Sequence, residues 1–120
     1  TPKPMSAPSA TFERFDVLVV PFPFTDRHAS KRRPALVLSG AAFNRNAGHS
    51  VMAMITSAEH SAWPGDVPVR DLEAAGLPSE CLVRMKLFTL DHRLVLQKAG
   101  ALSKRDRDAV EKALGGVFRT

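Results

Sequence analysis

Short runs of apolar residues, separated by polar and proline-rich stretches, recur along most of the chain. The runs at 15–22 (FDVLVVPF), 34–39 (PALVLS) and 50–57 (SVMAMITS) are rich in β-branched and other apolar side chains. Such runs are typical of strands that are buried on at least one face. Three more follow, namely VPV at 67–69, CLVRMKLFTL at 81–90 and RLVLQKAG at 93–100. The pattern predicts roughly five or six short strands.

The spacing of apolar residues changes near the C-terminus. From Ser103 onward they recur at the i, i+3, i+4 intervals of a helix, with Ser103 as N-cap and Asp106 as the third-position carboxylate. A further turn of helix is expected at 72–75, where Gly76 would end it. Because the strands are connected locally, without βαβ alternation, the pattern predicts a mainly β fold with a C-terminal helix. Its simplest form is a small antiparallel barrel that the helix covers at one end.

The first residues differ in composition from the rest of the chain. TPKPMSAPSA contains three prolines and little that could pack against a core, so residues 1–11 are predicted to form a disordered N-terminal tail. Met5 suggests that the gene begins there and that residues 1–4 remain from cloning. Residues 12–120 are expected to form a single domain, because a chain of this length has material for one core.

The charge balance indicates the kind of partner. The chain has 17 Lys and Arg residues against 12 Asp and Glu, which gives a net charge of +5 and a pI near 10.0. Such a balance favours a polyanionic partner, either nucleic acid or an acidic protein. No run approaches the roughly 18 consecutive apolar residues of a membrane span, so we expect a cytoplasmic protein with no membrane contact.

Several familiar chemistries are absent from the sequence. It contains no glycine-rich phosphate loop, no HExxH and no GxSxG motif. Cys81 is the single cysteine, and the four histidines are spaced irregularly in predicted loops, so neither a disulfide nor a metal site is expected. An enzyme with this sequence is expected to work without a cofactor.

Residues 31–33 place three cations, followed by Pro34, directly before an apolar run. Pro34 has no N–H for a ladder hydrogen bond, so it should stand at the first residue of the strand or on a sheet edge. The cations either keep a loop solvated or hold an anion at the entrance of the folded core. Composition alone leaves both interpretations open.

The segments DVLVVPFPFTD, KRRPALVLS, AAFNR, MITS and LVRMKLFTLD occur in this order. Together they resemble the MazF/PemK family of toxins from type II toxin–antitoxin pairs, over about residues 13–118. The resemblance implies an SH3-like barrel of the CcdB/PemK type, a homodimer and an acidic antitoxin as partner. It also implies a sequence-specific endoribonuclease that cleaves single-stranded RNA, such as mRNA, without a metal.

The resemblance assigns catalytic roles to three residues. The family's arginine in its RP motif falls on Arg33, and the hydroxyl of its T–S segment falls on Thr56. In some branches a loop histidine precedes the arginine, and here that residue is His28. RNA carries its own nucleophile, the 2′-hydroxyl, so the site has to align it, move a proton and stabilise the phosphorane. The products would be a 2′,3′-cyclic phosphate and a 5′-hydroxyl.

The three side chains suit different steps. The fork of Arg33 matches two phosphate oxygens, but an arginine has no proton to accept at neutral pH. Thr56 can donate a hydrogen bond to a phosphoryl oxygen. His28, which titrates near neutrality, is the best general base or acid by its chemistry.

Further residues are expected to contact RNA. The loop cations would attract phosphates, and an aromatic ring beside them could stack on a base. The predicted set is Lys31, Arg32, Phe24, Ser57, Arg84 and Lys86. Trp63, in the turn sequence WPGD, is expected to be a core residue instead.

Two positions depart from the family's pattern. Phe15 stands where the family usually has the glycine that opens the first strand, a change expected to cost little. Branches that use the counterpart of Arg84 for catalysis carry an aspartate two residues later, where this chain has Lys86.

Two other classes of function stay open at this point. One is a CcdB-like toxin that binds DNA gyrase and has no nuclease activity. The other is a non-catalytic SH3-like RNA-binding module. Cleavage of RNA by the purified protein in EDTA separates both from a metal-independent nuclease.

Overall fold

The structure, a computed structural model, describes residues 12–23, 31–59 and 62–119. Its strands are β1 (Asp16–Phe22), β2 (Lys31–Val37), β3 (His49–Ser57), β4 (Val67–Pro68), β5 (Cys81–Asp91) and β6 (Gln97–Ala101). Its helices are α1 (Ala41–Ala47), α2 (Leu72–Ala75) and α3 (Lys104–Phe118), and a 3₁₀ turn spans His92–Leu94.

The strands form one sheet in the order β4-β5-β3-β2-β1-β6, and neighbouring strands pair antiparallel. The sheet is curled into a half-barrel, and α3 follows its last strand. The predicted mainly β fold with a C-terminal helix is therefore confirmed. No helix in the described part of the chain is long and apolar enough to cross a membrane.

Alternation along the central strands divides the buried residues into two clusters. Leu36 of β2 and Ala53 of β3 belong to one cluster, which α3 joins through Val110. Their chain neighbours Ala35 and Met52 belong to the other. Successive side chains of a strand point to opposite faces, so the sheet is packed on both.

Strand β2 begins earlier than the sequence predicts. It starts at Lys31, so the three cations are part of the strand and not of the preceding loop. Pro34 lies inside the strand, opposite Val19 of β1. The pairs with β3 begin only at Ala35, so Pro34 stands at the edge of the β2–β3 ladder, as a residue without an N–H requires.

The predicted strand at 93–100 is shorter in the structure. The Asp91 carboxylate accepts a hydrogen bond from the N–H of Arg93 at 2.9 Å. The N–H of His92 donates to the carbonyl oxygen of Gly48 at 3.0 Å. These bonds turn the chain out of β5 into the 3₁₀ turn, and β6 begins only at Gln97.

Phe15 adopts a backbone conformation that favours glycine. Its φ is +74°, in the left-handed region. Its N–H donates to the carbonyl of Val37 at 2.7 Å and its own carbonyl accepts from Leu102 at 3.0 Å, while its ring is buried. A phenylalanine held in this region stores about 1–3 kcal/mol of strain. The departure from glycine therefore has a backbone cost, which the buried ring helps to offset.

The start of α3 is attached to the segment that precedes α2. Ser103 is the N-cap, as predicted, and its hydroxyl accepts from the N–H of Asp106 at 3.4 Å. The Asp106 carboxylate does not close a local capping box. It is buried and accepts from the N–H groups of Arg70 and Asp71, at 3.0 and 2.9 Å.

Asp71 strengthens the same attachment from the other side. Its carboxylate accepts hydrogen bonds from the Ser103 hydroxyl and from two nitrogens of the Arg105 guanidinium, each at 3.0 Å. These hydrogen bonds lower the pKa of Asp71, and those from Arg105 have the larger effect.

We predict that Asp106→Ala destabilises the fold, because it leaves two partly buried backbone N–H groups without an acceptor. The free energy of unfolding should fall by about 2–4 kcal/mol, measured by urea denaturation. Asp108→Ala is the matched control, since Asp108 is exposed and forms a surface ion pair with Lys104 at i,i+4. It should change stability by about 0.5 kcal/mol or less. Equal losses from the two variants would contradict the long-range role of Asp106.

Candidate active site

Strand pairing places the predicted catalytic arginine beside an aromatic ring. Arg33 of β2 opposes Val20 of β1, and Phe22, two residues further along β1, opposes Lys31. Opposed residues of an antiparallel pair share a face, and so do residues two apart in a strand. Arg33 and Phe22 therefore lie on the same face, and the guanidinium carbon is 4.9 Å from the ring centroid.

Arg33 carries an unusual donor. The side chain is partly buried, and its Nε atom is buried with no hydrogen-bond partner among the described residues. A buried donor without an acceptor carries a desolvation cost of about 1–3 kcal/mol, more for a charged group. A guanidinium can offer an oxyanion two parallel N–H groups, so an oxyanion that gains access to Arg33 would supply the missing acceptor. The arrangement is suited to a phosphate.

Thr56 lies on the next strand, close to its end. It is buried and opposes Leu82 of β5. The pairs between β2 and β3 run from Ala35–Met54 to Val37–Met52. Arg33 lies two residues beyond Ala35 and Thr56 two residues beyond Met54, so both belong to the face that carries Ala35 and Met54.

Ser57, the last residue of β3, belongs to a different face. It opposes Cys81 of β5. Its hydroxyl accepts a hydrogen bond from the N–H of Glu59 at 3.2 Å, within the turn that follows the strand. Burial raises the pKa of the neighbouring Cys81 thiol.

Arg84 is engaged by a carboxylate. It opposes Met54, two residues before Thr56 in β3. Its Nε and Nη2 atoms donate to the two carboxylate oxygens of Asp66, at 3.1 and 2.9 Å. The hydrogen bond from Arg84 lowers the pKa of Asp66 and raises the pKa of Arg84. Both side chains are nearly buried, with exposed fractions of 10% and 13%. The predicted RNA contact of Arg84 stays a prediction, and its visible partner is Asp66.

Lys86 and Trp63 form a pair beside this ion pair. The register of β5 on β3 shifts between Ala53 and Met54, which leaves Met85 and Lys86 without opposed residues. At this bulge Lys86 is exposed, and its ammonium lies 4.5 Å from the centroid of the Trp63 ring. Trp63 is 40% exposed, so the expectation of a core residue is wrong. Its position in the turn sequence WPGD could have indicated this exposure, because a large aromatic side chain in a turn is often incompletely buried.

The remaining predicted residues are distributed differently. Lys31 and Arg32 are both exposed, and Arg32 opposes Pro21, which places it on the other face from Arg33. His28 and Phe24 lie outside the described residues. Their assigned roles stay predictions.

The described histidines lie far from Arg33 and Thr56. His49 begins β3, whereas Thr56 lies seven residues later in that strand, about 23 Å along it. His92 is buried, and its Nε2 lies 2.7 Å from the Ser50 hydroxyl. Burial lowers the pKa of His92. The candidate site, as far as it is described, thus contains charge-stabilising groups and hydrogen-bond donors.

Within residues 12–23, 31–59 and 62–119, no group of three or more His, Cys, Asp or Glu side chains is arranged to hold a metal ion. The guanidinium groups of Arg33 and Arg84 carry a positive charge and have no lone pair to offer a metal ion.

The chain thus forms a curled antiparallel sheet with a C-terminal helix, and the strands of this sheet carry a cationic candidate site. A family described as PemK-like, MazF-like toxin of type II toxin–antitoxin system matches residues 13–118. The chain belongs to this family. Among curated proteins, no sequence relative matches it.

Solved structures of similar fold extend over nearly the whole chain. MazF from Deinococcus radiodurans is 24% identical, with a TM-score of 0.70, over 90% of this chain and 96% of that one. A MazE–MazF complex from the same organism is 22% identical, with a TM-score of 0.70, over 90% and 95%. A mycobacterial endoribonuclease in complex with its cognate antitoxin is 16% identical, with a TM-score of 0.70, over 90% and 93%.

The Asp66–Arg84 pair predicts a pH dependence of stability. Because the folded state lowers the pKa of Asp66, this carboxylate stabilises the fold above its ordinary pKa, and the contribution is lost as the pH falls through the lowered value. Urea unfolding from neutral pH down to about pH 3 should therefore show a smaller acid-dependent loss in Asp66→Asn than in the unsubstituted protein. Asp108→Asn, at an exposed position, should keep the original pH dependence. An unchanged acid-dependent loss in Asp66→Asn would overturn this role of the pair.

Proposed function

We propose that this toxin is a metal-independent, sequence-specific endoribonuclease that cleaves single-stranded RNA, including mRNA. The observation that carries the proposal is the partly buried Arg33, whose Nε atom has no acceptor among the described residues. Thr56 follows on the adjacent strand, on the same face. Both stand where the family's RP and T–S segments place its functional residues.

The proposed chemistry follows from these side chains. The RNA 2′-hydroxyl oxygen attacks the adjacent phosphorus, and the bond from phosphorus to the 5′-oxygen of the next nucleotide breaks. Arg33 stabilises the charge that develops on the non-bridging oxygens, and Thr56 donates one hydrogen bond to them. A general base removes the 2′-hydroxyl proton and an acid protonates the leaving 5′-oxygen. His28 is the proposed residue for one of these transfers.

The arrangement of charge around Arg33 supports RNA as the substrate. Lys31 and Arg32 are exposed on the same strand, and Lys86 is exposed on β5. Such cations attract phosphates regardless of sequence, and their contribution weakens steeply with salt. Charge attraction accounts for binding, whereas the fork geometry of Arg33 accounts for catalysis.

The proposed assembly is a cytoplasmic homodimer that an acidic antitoxin inhibits. Two similar structures contain a MazF with MazE and an endoribonuclease with its cognate antitoxin. The net charge of +5 favours an acidic segment as the inhibitor of this chain. A gyrase-binding toxin or a non-catalytic RNA-binding module would leave RNA intact in the experiment that follows.

The sharpest test compares two neighbouring arginines. Arg33→Lys keeps the charge but loses the fork, so cleavage of RNA in EDTA should fall by about 100- to 1,000-fold. Binding to an uncleavable 2′-deoxy oligonucleotide should change little, because the lost interaction strengthens in the transition state. Arg32→Lys, on the opposite face, should be nearly silent in both assays.

Each outcome of this comparison decides a specific point. No cleavage by the unsubstituted protein in EDTA overturns the metal-independent nuclease. If both variants lose a small and equal amount of cleavage activity, residues 31–33 act only as an electrostatic patch. Arg33 would then have no catalytic role. The products are checked by their ends, which should be a 2′,3′-cyclic phosphate and a 5′-hydroxyl.

The assembly makes a separate prediction. Light scattering of the toxin should give the mass of two 13.1 kDa chains, and an added acidic antitoxin should raise that mass while it suppresses RNA cleavage. The physical reason is that the antitoxin and RNA are both anionic and compete for the same cations. A complex that still cleaves RNA at the full rate would contradict competition, and a monomer at micromolar concentration would contradict the dimer.

A further inference from the structure

Trp63 is an exposed aromatic residue that the proposed catalytic groups do not use. It is the single tryptophan of the chain and is 40% exposed. The other large apolar side chains exposed in the described part of the chain are Phe43 of α1, and Val117 and Phe118 at the end of α3. Trp63 contacts β5, a strand of the candidate site, through the side chains of Arg84 and Lys86.

The backbone beneath the Trp63 ring is held in place. Its N–H donates to the Asp66 carboxylate at 3.0 Å, and the N–H of Asp66 donates back to the Trp63 carbonyl at 3.1 Å. The same carboxylate is held by the Arg84 fork from β5. The turn is therefore attached to a central part of the sheet. An aromatic ring that is fixed in position and still exposed is suited to binding.

The surroundings of the ring are cationic. The Lys86 ammonium is 4.5 Å from its centroid, and the guanidinium carbon of Arg84 is 6.0 Å from it. A nucleotide offers a base for the aromatic face and a phosphate for the cation. Stacking of bases on aromatic side chains combined with backbone attraction is the general mode by which proteins bind single strands.

The strand that contacts the Trp63 ring is close in the sheet to the strand that carries Arg33. Arg84 belongs to β5, and β3 alone separates β5 from β2, which carries Arg33. Two steps between adjacent strands span about 10 Å. An RNA strand whose phosphate is bound at Arg33 would bring its flanking nucleotides towards Trp63 if it crosses β3 in the direction of β5.

We propose that Trp63 is a nucleobase-stacking platform, which receives a base that flanks the scissile phosphate while Lys86 binds an adjacent phosphate. The inference rests on the proposed RNA substrate and adds a residue that selects how the RNA is positioned. The Asp66–Arg84 pair acts as the support that orients the platform.

The single tryptophan makes the test direct. Emission from Trp63 is recorded while an uncleavable 2′-deoxy oligonucleotide is added to the unsubstituted protein. A strand of the same length and charge with abasic positions is added in parallel. The stacked base should quench the emission, and the abasic strand should leave it nearly unchanged. Equal changes with the two strands would show that only charge is sensed, which would overturn the proposal.

Substitutions test the same point through affinity. Trp63→Ala should weaken binding of the base-containing strand by about 5- to 100-fold, whereas Trp63→Phe should retain most of it. Phe43→Ala is the control, since it removes an exposed aromatic from α1 instead. Unchanged affinity in Trp63→Ala overturns stacking. If that variant does not fold, the emission comparison on the unsubstituted protein still decides.

The outcomes distinguish this inference from the proposed function. Cleavage of RNA without base-dependent quenching removes the role of Trp63 and leaves the nuclease intact. Base-dependent quenching without cleavage in EDTA leaves the platform intact and removes the metal-independent nuclease. If the protein binds no oligonucleotide and cleaves no RNA in EDTA, both proposals fall.

Discussion

The register between β1 and β2 is the constraint on which the candidate site depends. Val20 opposes Arg33 and Phe22 opposes Lys31, so the guanidinium of Arg33 shares a face with the Phe22 ring and can lie over it. A slip of one residue would turn Arg33 to the other face and bring Arg32 into its place. The buried apolar neighbours oppose such a slip, because it would move each of them out of its cluster. Packing of the core therefore selects which of the two arginines enters the site.

On the β5 side of Thr56, an ion pair between two side chains positions the residues of the site. Asp66 comes from the connection between β3 and β4, and its carboxylate meets the Arg84 fork in a nearly buried pair. Two parallel hydrogen bonds define both distance and direction, which a single ammonium group does not. The pair attaches the turn that bears Trp63 to the sheet. Backbone pairing thus orients Arg33, and an ion pair orients Trp63.

The hydrogen bonds of Ser103, Asp106 and Asp66 show which contacts can be predicted from residues that are adjacent in the chain. Ser103 was correctly predicted as the N-cap of α3, because a cap depends on residues adjacent in the chain. The Asp106 carboxylate binds instead the N–H groups of Arg70 and Asp71, 36 and 35 residues away. The partner of Asp66 is 18 residues away. Partners so distant in the chain form no local sequence pattern. The sequence therefore shows the positions of the acidic residues but not the groups that donate hydrogen bonds to them.

The sequence by itself determined the mainly β class, the C-terminal helix and the family resemblance, because each depends on periodicity or on the order of segments. It did not determine that β2 begins at Lys31, or that Trp63 is exposed. The first depends on pairing with β1, and the second on how the turn that bears Trp63 is held against β5 by Asp66 and Arg84. Contacts between residues that are distant in the chain follow from how the sheet curls and packs, and only the tertiary structure decides them.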